Sequence, residues 1–134
     1  MYLILLFSFF INATTTPKTT DNLLVEIKNI NFDKGGTMCI ELCDAQNKTV
    51  KLLRQPVKLK ENIFFFTDLP FGKYAIRAFH DANNNGKLDT GFFGQPVEGW
   101  GVSNDARGFM SAPPLNKMLF DHNAETKISF KLSY

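Results

Sequence analysis

Apolar and polar residues alternate with a period of two along most of this chain, and no stretch repeats at 3.6. Leu23, Val25 and Ile27 alternate with Leu24, Glu26 and Lys28, and Met38, Ile40 and Leu42 with Cys39, Glu41 and Cys43. Val57 and Leu59 alternate with Lys58 and Lys60, and Tyr74, Ile76 and Ala78 with Ala75, Arg77 and Phe79. The last run sets Ile128, Phe130, Leu132 and Tyr134 against Lys127, Ser129, Lys131 and Ser133. Turn chemistry bounds the runs, as at Asp33-Lys34-Gly35-Gly36, Lys60-Glu61-Asn62 and Pro70-Phe71-Gly72. One apolar and one polar face per run predicts an antiparallel sheet packed on one side. No amphipathic helix of three turns can be drawn. The fold class expected is all-β, an antiparallel β-sandwich of about seven strands. Ile63 to Phe66 (IFFF) breaks the alternation, which predicts a strand covered on both faces.

After the strand that ends at His80, the pattern lapses. The region from Asp81 to Pro114 holds six of the nine glycines and no clear strand. A loop that long needs an internal source of order. Its first residues, HDANNNGKLDT from His80 to Thr90, supply one. Asp81, Asn83 and Asn85 precede Gly86 in the D-x-[DN]-x-[DN]-G pattern, in which alternate side-chain oxygens and one backbone carbonyl converge on calcium. Lys87 would give the carbonyl, and Asp89 would bind directly or through water. Position 12 of an EF-hand loop falls on Phe92, which has no oxygen to offer, so this is not an EF-hand. Two carboxylates among five positions imply weak binding, about 10⁻⁴–10⁻³ M. Glu98 or Asp105 would tighten the site by closing the sphere. The competing reading is a plain Asn-Gly turn, since both residue types tolerate positive φ. Asp89 favours the ion, because a turn alone has no evident use for it.

The chain of 134 residues allows one domain. Its start, Tyr2 to Ile11, is apolar apart from Ser8 and too short for the ~20 residues of a membrane span. That length suits a secretory signal cleaved after Ala13, with an uncleaved tether as the alternative. The expected division is residues 1–13 as signal, 14–21 as linker and 22–134 as the sandwich, exported to a periplasmic or extracellular space. The mature chain has no candidate transmembrane span. A net charge of +2 with both signs interspersed offers no basic block for a phosphate backbone, so nucleic acid is not an expected partner. Cys39 and Cys43 would lie about 13 Å apart in a strand, beyond the roughly 7 Å a disulfide allows. Two packed free thiols are expected, with intermolecular pairing as the alternative.

Other candidate chemistry is sparser. His80 beside Asp81 reads as a structural histidine, or as the base of an envelope hydrolase working with Asp81 or Glu98. With His122 the one other histidine, zinc lacks its usual ligand spacing. Ser103 and Ser111 stand outside any Gly-x-Ser-x-Gly elbow. Phe92, Phe93, Trp100 and Phe109 share the long loop with Glu98, Asn104, Asp105 and Arg107. Rings beside carboxylates, amides and guanidinium can form a glycan or peptide site, for which Glu98, Trp100, Asn104, Asp105 and Arg107 are the candidates. Alternatively the rings fold back to cap the sandwich. A third possibility is an accessory subunit without a ligand, pairing its last strand with another envelope protein.

The run DLPFGKYAIRAFHDANNNGKLDTGFFGQPVEGWGVSNDARG, with Pro113-Pro114 and a terminal alternating strand, resembles the bacterial secreted domain-of-unknown-function family 2141. The resemblance spans Leu23 to Tyr134 and is densest from Asp68 to Gly108. The D-L-P-x-G-x-Y turn is also similar to transthyretin-like and carboxypeptidase-regulatory-like modules. The resemblance implies export and an immunoglobulin-like or prealbumin-like sandwich, and no reaction. In a bacterial host, the sequons at Asn12 and Asn47 are expected to be chance matches.

Overall fold

The computed structural model describes residues 16–134, so the expected signal segment and the sequon at Asn12 lie outside the described residues. Among the described residues eight strands form: β1 (Thr20–Lys28), β2 (Thr37–Asp44), β3 (Thr49–Pro56), β4 (Ile63–Pro70), β5 (Gly72–Asp81), β6 (Trp100–Val102), β7 (Phe120–His122) and β8 (Thr126–Lys131). One short helix, α1 (Leu115–Met118), precedes β7. The strands make two sheets, β4-β1-β8 and β3-β2-β5-β6, with β7 joining the second along the first residues of β5. The expected sandwich is the observed one. β1 begins inside the stretch assigned to the linker, because Thr20 and Asp21 already pair with Pro70 and Leu69.

The core lies between the sheets. Leu23, Val25 and Ile27 from β1 and Phe64, Phe66 and Leu69 from β4 meet Met38, Ile40 and Leu42 from β2 and Ile76 and Ala78 from β5. These are the alternate residues that the period of two singles out. β1 and β8 run parallel, from Leu23 opposite Thr126 to Lys28 opposite Lys131. The uniformly antiparallel expectation fails there because β8 arrives by a crossover from β7 in the other sheet, and not through a hairpin.

Three local expectations also change. Residues 57–60 are not a strand; β3 is Thr49–Pro56, and Lys60 sits at φ 65° in a turn. β3 is an edge strand whose Leu52 faces outward and whose Leu53 packs on the core, so its hydrophobicity has no clean period. In β4, Phe65 is 57% exposed while Phe64 and Phe66 are buried, so only one face is covered. β2, conversely, is buried on both faces, with Cys39 and Cys43 packed as free thiols on the outer one. That outer face is partly roofed: Ala106, Leu115, Met118 and Leu119 form one cluster with the outer-face residues Ala75, Trp100 and Val102. The roof is incomplete. No described helix is long and apolar enough to cross a membrane.

Candidate functional site

Strand register places two rows of side chains on the outer face of the five-stranded sheet. Arg54, Cys39, Phe79 and Trp100 form one row, and Leu52, Glu41, Arg77 and Val102 the next. Where the roof stops, these rows floor a cleft of about 880 Å³. Leu88, the segment Phe93–Pro96, the segment Met110–Pro113 and Met118 complete its walls. Most of the lining is apolar. The chain bends this way because alternate positions on β2 and β5 are spent on the core, leaving the intervening ones to whatever the later loops bring over them.

The polar groups of the cleft differ in how far they are committed. Arg77 bonds Glu41 at 3.2 Å and the Cys43 sulfur at 3.1 Å, and it also meets the Asn47 side-chain oxygen. The Thr49 hydroxyl, donating at 2.6 Å, and then Arg77 hold the Glu41 carboxyl below the usual carboxylate range, against some opposition from burial. Burial pushes the Cys39 thiol up, with Asp81 and Glu98 adding to the rise and Arg54 opposing it, so the thiol stays neutral and packs as an apolar group. Arg54 has no hydrogen bond or ion pair from its side chain among the described residues.

The Asn-rich loop rises from the end of β5 beside this cleft. Asp81 is 2% exposed, and its two oxygens accept the Asn85 and Gly86 N–H groups at 3.1 and 2.8 Å. Asn83 and Asn85 accept the N–H groups two residues on, at 3.2 and 3.1 Å, as asparagine does in turns. Their amide nitrogens both donate to Asp89, at 2.6 Å from Asn83 and at 2.8 and 3.0 Å from Asn85. Gly86 takes φ 82°, the sharp reversal expected of it. Glu98, 7% exposed, closes the loop by accepting the Ala82 and Asp89 N–H groups at 3.0 and 3.1 Å. The turn therefore does use Asp89, as the acceptor that gathers two asparagines, and the residue does not by itself argue for an ion. Asn85 and then Asn83, with Lys87 nearby, hold the Asp89 carboxyl below the usual range.

The donor set still fits a hard cation in kind, since Asp81, Asn83, Asn85, the Lys87 carbonyl and Asp89 offer oxygen alone. Asn83 and Asn85 already meet at Asp89. Turning their amides over would bring oxygen in place of nitrogen, at the cost of the two turn bonds. Among the described residues, no three His, Cys, Asp or Glu side chains form a metal-binding group.

The remaining candidates take separate places. Of Glu98, Trp100, Asn104, Asp105 and Arg107, only Trp100 lines the cleft. Asn104 donates to the Lys117 and Leu119 carbonyls, bracing α1, and Asp105 accepts the Lys131 N–H on β8. Arg107 lies over the Trp100 ring at 5.3 Å and donates to the Ala106 carbonyl and the Ser133 hydroxyl. Phe92, Phe93 and Phe109 are 95%, 88% and 91% exposed, so these rings do not cap the sandwich. Gly99 and Gly101 do permit a close approach, but by the chain's own last residues: a Cβ at Gly99 would meet the Tyr134 ring at 2.5 Å, and one at Gly101 the Lys131 carbonyl at 2.7 Å. His80 is fully buried, with Nδ1 on the Tyr134 hydroxyl at 2.8 Å and Nε2 on the Gly35 carbonyl at 2.5 Å. Those contacts make it a structural histidine. Ser103 is equally committed, donating to the Met118 carbonyl at 2.6 Å and accepting the Ile76 N–H at 3.0 Å.

Reasoning from sequence missed Leu52, Arg54, Arg77, Phe79 and Glu41, because they come from three strands and touch only through register. The available signal was three charged residues on the polar positions of otherwise apolar strands. No curated protein and no solved structure matches this chain. A family model does, over residues 25–129, and with it the chain belongs to DUF2141, described as an uncharacterized protein conserved in bacteria.

Proposed function

We propose that this chain is an exported binding module. The cleft on the outer face of the five-stranded sheet is its recognition surface, and the Asn-rich loop is the brace that holds one wall in place. The observation that carries this reading is the cleft itself, about 880 Å³ with a mostly apolar lining and a few oriented polar groups. That size and composition are those of small-molecule sites, about 300–1,000 Å³. Export rests on the apolar segment from Tyr2 to Ile11. Calcium, held through Asp81, Asn83, Asn85, Lys87 and Asp89, adds to a brace that hydrogen bonds already shape. A rigid wall lowers the ordering cost of docking.

Trp100, the single tryptophan, lines the cleft and reports on it. Nile red, a neutral dye, is expected to brighten with the protein and to accept energy from Trp100. Phe79→Ser should abolish both signals while the far-ultraviolet dichroism stays that of the parent. Absence of dye uptake by the parent protein would sink the reading. For the ion, millimolar calcium should raise the melting temperature of the parent and not that of Asp89→Ala. A parent whose melting ignores both calcium and chelator has no such site.

A further inference from the structure

Resting on that reading, we infer that the cleft takes a single-chain amphipath of the fatty-acid class, with its carboxylate on Arg54 and its hydrocarbon along the row Cys39, Phe79 and Trp100. Three guanidinium groups stand in or beside the cleft. Arg77 is neutralised by Glu41 and bonded to Cys43, and Arg107 is spent on the Trp100 ring, the Ala106 carbonyl and the Ser133 hydroxyl. Among the described residues Arg54 alone of the three has no hydrogen bond or ion pair from its side chain, and its planar fork has a geometry matched to a carboxylate. The two nearby buried carboxylates, Asp81 and Glu98, each already accept two backbone N–H groups.

Position supports the assignment. Arg54 lies on the edge strand β3, at the open end of its row, whereas Trp100 lies on β6 at the far end. Three strand spacings separate them, about 14 Å, a length that an extended dodecanoyl chain covers. The Asn-rich loop backs the guanidinium: a Cβ at Gly86 would stand 3.3 Å from Arg54 Nη1. The brace of the wall is thus also the backstop of the cation.

The floor disfavours the other ligand classes. A peptide brings backbone N–H and C=O groups that need partners. The floor strands β2 and β5 are each paired on both sides, and the unpaired edge of β3 points along the plane of the sheet and away from the floor, so no free ladder faces the cleft. A sugar needs many polar partners, and Glu41 and Arg77 are already committed to each other. A hydrocarbon chain needs none.

The test uses Nile-red displacement below micelle-forming concentrations, with laurate, dodecanol and dodecyltrimethylammonium as probes. Laurate should displace the dye about tenfold more effectively than dodecanol, as a charge-assisted hydrogen bond allows. The cationic probe should be the weakest. Arg54→Ala should lower laurate affinity about tenfold and leave dodecanol unchanged, with Arg54→Lys recovering part of the loss. Equal affinity for laurate and dodecanol, or an Arg54→Ala protein that keeps its laurate affinity, would overturn the inference and leave the binding module standing. Failure of the dye and of all three probes to bind would overturn both.

Discussion

The two faces of the five-stranded sheet are built from the same strands and end in opposite states. On β2, Met38, Ile40 and Leu42 face a complete opposing sheet and are at most 1% exposed. Their neighbours Cys39 and Glu41 face a partial roof of one short helix and two loops, and look into the cleft. On β5 the same division sets Ile76 and Ala78 against Arg77 and Phe79. A shared backbone cannot account for the difference; what lies across from each face does. The inner face holds the fold together. The outer face, covered only in part, carries charged groups that no close-packed core would accept unpaired.

The sharpest break of this comparison is a pair of truncations, one on each face. Ile76→Ala removes a fully buried side chain and should cost about 2–5 kcal/mol in urea unfolding. Leu52→Ala, at a position 66% exposed, should stay within about 0.5 kcal/mol of the parent. The two midpoints should therefore separate widely at similar slopes. Comparable losses at both positions would mean that the outer face is part of the core.

A middle-sized effect is expected at the loop that walls the cleft. Asp81→Ala strips the Asn85 and Gly86 N–H groups of their acceptor, at about 1–3 kcal/mol for a buried donor left unmade. Amide hydrogen exchange should quicken from residue 82 to residue 89 and stay slow at Ile40 and Ile76. Uniform quickening would show that loop and core open as one unit.

The inner face was legible in the sequence because its signal is local. Leu23, Val25 and Ile27 announce a half-buried strand within five residues, and the same holds for Met38 to Leu42. The Asn-rich turn was legible too, with Gly86 at positive φ as expected. Its wiring was not. That Asp89 gathers two asparagines, and that Glu98 closes the loop from nine residues on, depends on how the chain returns. The cleft was the least legible. Arg54, Cys39, Phe79 and Trp100 become a row only after three pairings across four strands, and no periodicity within one segment encodes that. Exposed Phe92, Phe93 and Phe109 misled for the related reason that composition does not reveal direction.

The smallest expected effect sharpens the contrast between a loop held by its own side chains and a core held by burial. The amides of Asn85 and Asn83 keep the Asp89 carboxyl below its ordinary value in the folded protein. An unfolded Asp titrates near about 3.9. Between the folded value and that one, the unfolded chain binds more protons, so stability falls as the medium is acidified. The contribution is complete above the unfolded value and disappears as pH drops through the folded one. Asp21, Glu26 and Glu41 are depressed as well, so acid weakening of the whole protein is not diagnostic. The informative quantity is a difference, taken without calcium. Between about pH 6 and about pH 3, Asp89→Asn should lose slightly less melting temperature than the parent, because one linked proton has been removed. The solvent exposure of this carboxylate keeps the gap small through screening. Identical acid slopes for the two proteins would mean that the asparagines do not prefer the charged form of the Asp89 carboxyl.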